Sequence, residues 1–279
     1  MSATAVMMLP ELTGLHDAAS LLLEAISAAR INRQQSKYRT KLRRVLRRMW
    51  ITQRNRIEAR WFPRLQASGV LREAHTQDEL MLLLAGLLSE DEATWGEAMA
   101  SVLSEIVMVA ARAALDDLKL TTAFSLPTQR IEDEIRQHAA TLVRGLNDTT
   151  RAELKNLLAK AVEYNYSYAE TAKLLRQRFA EFGTLVPLHH IRDRAELIAV
   201  TEVGQAYIRG QQQVGNALVS AGIAMEKAWL TAEDDRVEPE CEGNGAAGWV
   251  PWGEPFPSGH DAPLAHPGCR CALQMQRSE

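Results

Sequence analysis

Between Tyr38 and Trp61, apolar side chains return at Tyr38, Leu42, Val45, Met49, Ile57 and Trp61, with Leu46 and Trp50 widening the stripe. Spacings of three and four residues put them on one face of a helix, while Lys41 and the arginines fill its flanks and back. A basic helix is therefore expected over about 37–64. Glu11 to Ile31, richer in Ala and Leu and nearly neutral, predicts a separate helix ahead of it. Four phrases mark helix starts, because a Ser/Thr oxygen and a Glu three residues on can satisfy free backbone N–H groups. They are Thr76-Gln-Asp-Glu79, Ser89-Glu-Asp-Glu92, Thr150-Arg-Ala-Glu153 and Ser167-Tyr-Ala-Glu170. Pro127 is expected to open a helix reaching about Gly145, and a long helical pattern fills Arg192 to Ser220, ending near Gly222.

The pattern then changes. Ile223 to Thr231 reads as a short strand with Met225, Lys227 and Trp229 on one side. Cys241 to Gly268 holds six glycines and five prolines in twenty-eight residues, which excludes a long helix. Trp249, Trp252 and Phe256 offer anchors for a compact loop or small β unit. The expected class is mainly α: a helical N-terminal and central region with a small C-terminal α+β unit rich in Gly/Pro loops. Residues 1–126 form the first region and 127–279 the second.

Composition adds one asymmetry. Residues 30–64 carry thirteen Lys/Arg against the single acid Glu58, a local +12, so the rest carries −15 within a formal net charge of −3. Such polarity suits a polyanion, an acidic protein surface, or acids of the same chain such as Asp78, Glu79, Asp91 and Glu92. Lys41, Arg43, Arg44, Arg47, Arg48, Arg54 and Arg56 are the candidate contacts. A helix over 37–64 would span roughly 40 Å, about twelve base pairs of duplex. With no reading-head motif, contact to double-stranded DNA would be to phosphate. The Met-Ser-Ala-Thr start lacks a basic and apolar leader pattern, so no secretory signal is expected. The longest apolar run, Leu80 to Leu88, is too short to span a bilayer, so no membrane partner is expected.

All three cysteines lie in the tail, an odd number that suits a reducing compartment more than a disulfide framework. Cys241, His266, Cys269 and Cys271, with His260 as a spare, have the side chains zinc prefers. The two-residue gap from His266 to Cys269 suits the metal, and the gap in Cys269-Arg270-Cys271 is tighter than a usual knuckle. Two other chemistries fit the same residues. The cysteines can pack as small apolar groups, with His266 bonding the loop backbone and Arg270 pairing with Asp235, or they can form a disulfide or a reactive thiol. No His-Glu-x-x-His, Gly-Lys-Ser/Thr or Gly-x-Ser-x-Gly phrase supplies catalytic machinery. Glu202 reads as a helix-surface or buried salt-bridge carboxylate, His189-His190 as a solvated linker pair, and Gly204, Gly210 and Gly215 as sites of close helix contact.

Several phrases occur in a fixed order. Leu146-Asn-Asp-Thr-Thr-Arg151 and Tyr168-Ala-Glu170 precede Arg194-Ala-Glu196 and Ala199-Val-Thr201-Glu202, followed by Ala206-Tyr207 and Ala221-Gly222. Trp229, Asp235-Arg236-Val237, Gly248, Pro263 and the closing His266-Pro-Gly-Cys269-Arg270-Cys271 complete the set. Together they resemble the phage Mu F-like head morphogenesis family, minor head proteins of tailed phages and prophages, over roughly 129–273. This chain has Pro239-Glu240-Cys241 where many members carry a histidine. The resemblance implies a non-enzymatic minor capsid protein acting in procapsid assembly at or near the portal. Its partners would be portal and/or major capsid proteins. Its place would be the host cytoplasm during assembly, then the head interior or portal vertex. Trp229, Asp235, Arg236, His266, Pro267, Cys269, Arg270 and Cys271 form the expected structural motif, with Asp235 and Arg236 meeting the terminal His–Cys pair. No cofactor is expected beyond the one structural zinc the cluster could hold. The competing reading is a metal-dependent hydrolase or toxin-like effector built on Cys241, His266, Cys269 and Cys271.

Overall fold

The computed structural model describes residues 9–67, 74–120, 128–164, 166–181, 194–232 and 234–278; side chains are described from residue 29 on, apart from 65, 74–77, 128, 162, 168 and 179–181. Helix α1 (Leu9–Arg56) runs through both expected N-terminal helices without a break. The residues joining them, Asn-Arg-Gln-Gln-Ser-Lys, contain neither Gly nor Pro to stop it. Its inward stripe continues across the join as Ile31, Gln35, Tyr38, Leu42, Leu46 and Met49, all buried. A π turn, Ile57–Trp61, leads into α2 (Phe62–Ala67), and Phe62 N–H donates to Ile57 O five residues back. Pro63 follows directly, with no N–H to give and a ring that would strike a carbonyl at ordinary α-helical spacing. The wide turn keeps Ile57 and Trp61 both buried, and the Trp61 indole N–H reaches Leu80 O at 2.8 Å.

Helices α3 (Ala74–Ser89) and α4 (Glu92–Asp117) follow, then α5 (Thr128–Glu163), α6 (Tyr168–Glu181) and α7 (Arg194–Ser220). The central helix is α4, packed on α1, α5 and α7. Its buried face alternates Met99, Leu103, Ile106 and Val107 with alanines, so neighbouring helices come close. The closest approach is at Gly210 on α7, where a Cβ would stand 2.3 Å from Val107 O and 2.8 Å from Ala110 Cβ. This central position accounts for the apolar character of Asp78–Asp117, the one candidate membrane span among the described residues; half of its most apolar window is buried inside the protein. One buried cluster runs from Ile31 to Met275, so residues on both sides of 126 share a core.

Three of the four expected helix starts are corrected. Ser89 closes α3, its hydroxyl donating to Gly86 O, and Asp91 stands at the N-cap of α4 without a side-chain cap bond. Thr150 lies inside α5, which does not stop at Gly145; the wholly buried Thr150 hydroxyl donates back to Leu146 O at 2.8 Å. Thr76 lies within α3, which begins at Ala74. The Ser167 box forms as expected: Glu170 N donates to Ser167 Oγ at 3.2 Å and Ser167 N to Glu170 Oε2 at 2.7 Å. Pro127 and the His189-His190 pair lie outside the described residues.

After α7, Gly222 adopts φ +83° and the chain turns into β1 (Met225–Leu230). Helix α8 (Pro239–Ala246), β2 (Val250–Pro251) and β3 (Ala272–Arg277) complete a three-stranded antiparallel sheet ordered β2-β1-β3. The register pairs Trp229 with Leu273 and Leu230 with Ala272. Leu230 and Ala272 join the helical core, whereas Trp229 and Leu273 belong to a second, smaller core. The mainly α architecture with a small C-terminal unit is the one expected. Eight-residue α8 was hidden by the Gly/Pro density, although Pro239 followed by Glu240 and Glu242 is a recognisable helix opening.

Candidate functional site

The small core gathers Ile208, Trp229, Cys241, Phe256, Cys269, Cys271 and Leu273. Trp229 and Phe256 meet edge to face, with ring centroids 5.2 Å apart. Cys241 comes from the first turn of α8, Cys269 and Cys271 from the approach to β3, and the three sulfurs lie within 4.8 Å of one another. Cys241 Sγ is 3.7 Å from both Cys269 Sγ and His266 Nε2. The cysteines are 1%, 3% and 4% exposed and unbridged. The other ring nitrogen of His266, Nδ1, faces Pro267 O at 3.1 Å.

The thiols are not equivalent. A hydrogen bond from Cys271 and backbone N–H groups of Cys271 and Ala265 pull Cys269 down to about 5, against the opposing effect of burial. Burial and the neighbouring Cys269 push Cys241 up to about 12. Cys271 is raised further by its bond to Cys269 and by burial. Without a cation among them, therefore, only one sulfur readily holds a negative charge. The Trp229 indole N–H faces Cys271 closely enough to favour its thiolate, yet makes no hydrogen bond of normal geometry.

The loop around the cluster is latched by polar side chains. Arg270 grips Asp234 with two bonds, Nη1 to Oδ2 at 2.6 Å and Nη2 to Oδ1 at 2.7 Å, and Arg236 Nη2 reaches the same carboxylate at 3.0 Å. That pairing holds the Asp234 carboxyl far below the usual carboxylate range. The expected partner, Asp235, is instead exposed, as is Arg236. The turn at 234–236 presents the first aspartate inward, with Arg236 N–H closing on Asp234 Oδ1 at 3.1 Å. Gly268 N–H donates to Thr201 Oγ1 at 2.9 Å, tying the closing loop to α7. Buried Asn244 holds Ser258 from both sides, at 2.8 and 3.0 Å, and Ser258 meets His260 Nδ1 at 2.9 Å. The spare histidine is thereby directed to Glu240, 3.3 Å away. Lys227 is buried, donates to Asp261 O at 2.8 Å and lies over the Phe256 ring; burial lowers its pKa. Asn244, Asp234 and Lys227 carried no sequence signal for these roles, whereas Thr201 lies within Ala199-Val-Thr201-Glu202.

Gly204 and Gly215 serve this unit, not helix contact: a Cβ would be 3.0 Å from Leu264 at the first and 2.2 Å from the Trp252 ring at the second. Of these three glycines, Gly210 alone stands against another helix. Glu202 is largely buried and hydrogen-bonds His138, its Oε2 2.6 Å from Nε2.

The basic helix divides into two faces. Lys41 pairs with Glu105, Arg43 with Glu196 at 2.7 Å, and Arg56 with Glu90 at 3.0 Å, with Asp91 and with Leu87 O at 2.9 Å. Arg54 bonds Asn55 at 3.3 Å. Of the four acids expected as partners, Asp91 serves, whereas Glu92 accepts from Asn147, which also takes a bond from Gln53 between α1 and α5. Arg33, Lys37, Arg44, Arg47 and Arg48 are exposed.

Residues 152–274 match the family model described as Phage Mu protein F like protein. The matched span opens inside α5, downstream of the Leu146–Arg151 phrase, and runs through the cysteine cluster into β3. The match supports a phage head morphogenesis protein and minor capsid component, with capsid-assembly partners and a place in the virion or its assembly. Searches of curated proteins and of solved structures returned no match.

Proposed function

We propose that the protein is a non-enzymatic minor head protein that acts in procapsid assembly at or near the portal vertex, with portal and/or major capsid proteins as partners. The family match over 152–274 carries this reading. The near-complete burial of the three sulfurs supports a structural over a hydrolytic role, because a catalytic centre needs a position open to substrate. The solvent face of α1 supplies a surface for duplex DNA: Arg33, Lys37, Arg44 and Arg48 fall within an arc of about 60° at 100° per residue. Ser36 and Thr40 flank that arc on one side, and no acid interrupts the row. Contact would be to phosphate, independent of sequence and sensitive to salt.

Deleting the reading frame from its parent phage should sharply reduce filled, infectious heads counted by electron microscopy and plaque assay. Normal yields would overturn the proposal. For DNA contact, duplex binding should weaken with a log–log salt slope of about −3 to −4 for four phosphates. Converting Arg44 and Arg48 to Gln should reduce that slope by about 2; an unchanged slope would remove DNA from the proposal.

A further inference from the structure

We propose that Cys241, His266, Cys269 and Cys271 bind one zinc ion in a closed, tetrahedral, structural site that fixes the C-terminal unit. This stands independently of the head-assembly reading, because it rests on side-chain geometry alone.

Zinc–thiolate bonds of about 2.3 Å place two ligand sulfurs about 3.8 Å apart across a tetrahedron. Cys241 and Cys269 stand 3.7 Å apart, and Cys271 Sγ lies within 4.8 Å of both. The His266 Nε2 is 3.7 Å from Cys241 Sγ, close to the edge expected between a nitrogen and a sulfur ligand. Its Nδ1 sits 3.1 Å from Pro267 O, and donating there turns Nε2 toward Cys241 Sγ. Metal-bound histidines are commonly oriented by such a bond.

Packed neutral thiols explain less of this arrangement. The indole N–H of Trp229, in the same small core, has no hydrogen-bond partner. Three sulfurs within 4.8 Å of one another are spaced as ligands around a single ion. The unit also has a reason to use one. Its core is small, and the loop from 247 to 271 contains only the two-residue strand β2. A four-ligand ion would join α8, the loop and β3 at one point, as metals do where a core is too small to order a segment. Three sulfurs at most 4% exposed and one imidazole complete the coordination, leaving no position for water or substrate.

The test uses the full-length protein, purified without added metal or chelator. Elemental analysis should find about one zinc per chain. Exchange with cobalt should produce the intense visible and near-ultraviolet bands of a tetrahedral, thiolate-bound ion. Cys271→Ser and His266→Gln should each weaken zinc binding by about tenfold or more, and His266→Gln should shift the cobalt spectrum. The His260→Gln variant, on the neighbouring loop, should keep the metal. If the ligand variants fail to fold, titrating the wild type with an organomercurial should release zinc in step with modification of three thiols. Folded wild-type protein that takes up neither zinc nor cobalt would overturn the proposal. So would a bound ion unaffected by Cys271→Ser, or a cobalt spectrum unchanged by His266→Gln.

Discussion

The helical body and the C-terminal unit are stabilised in opposite ways. The body buries a continuous apolar cluster that runs from α1 to α7 and takes in Met225, Leu230, Ala272 and Met275 of the sheet, and many of its positions, such as Leu42, Leu46, Leu84, Leu103 and Ile106, are aliphatic and interchangeable in kind. The C-terminal unit has seven buried residues in its own core, three of them cysteines, and depends on specific pairs such as Arg270–Asp234 and Asn244–Ser258. Where apolar area is large, the pattern of residues suffices to specify a fold. Where it is small, individual polar atoms and sulfurs must do so.

The largest effect should come from the body. Leu103→Ala empties a wholly enclosed position on α4 and should cost about 3 kcal/mol in denaturant unfolding. A loss below about 1 kcal/mol would show that the body is less tightly packed than its burial suggests. Gly210→Ala should cost about 2 kcal/mol, because the added methyl meets the backbone oxygen of Val107 and no flexible side chain can yield.

In the C-terminal unit, Asp234→Ala should cost about 1 kcal/mol and Asp235→Ala less than about 0.5. Reversal of that order would restore Asp235 as the partner of Arg270. The misassignment has a physical source. Adjacent aspartates in a turn have the same local chemistry, and only the turn's backbone, closed by Arg236 N–H on Asp234, decides which faces inward. Two of the expected helix starts failed for a related reason. A Ser/Thr-x-x-Glu phrase caps a helix only if the chain is non-helical there. Burial of Thr150 keeps α5 running, and Ser89 is taken into the end of α3.

An effect of similar size concerns Tyr207, where a polar bond sits inside the apolar body. Its hydroxyl donates to Gln34 Oε1 at 2.6 Å, and burial raises its pKa to about 12, partly offset by Arg30. The folded state therefore keeps a proton that the unfolded chain loses near pH 10. The resulting stability is intact below pH 10 and is lost as pH rises from there through about 12. Tyr207→Phe should cost about 1 kcal/mol at neutral pH and remove this component of the alkaline decline. Parallel pH profiles for the two proteins would contradict the assignment.

Local periodicity was enough to read the helical class, the strand before Leu230, the capped start of α6 and the chemical content of the tail. Spacings of three, four and two are properties of the backbone itself. The sequence also marked Cys241, His266, Cys269 and Cys271 as one set of zinc-preferring groups. The approach of Cys241 Sγ to 3.7 Å from both Cys269 Sγ and His266 Nε2 is a tertiary fact, because α8, the loop and β3 meet only when β1 pairs with β3 against α7. The division of the basic helix is tertiary for the same reason. Charge is counted along a chain, but whether Lys41 meets Glu105 or Arg44 meets solvent depends on which helices pack beside α1.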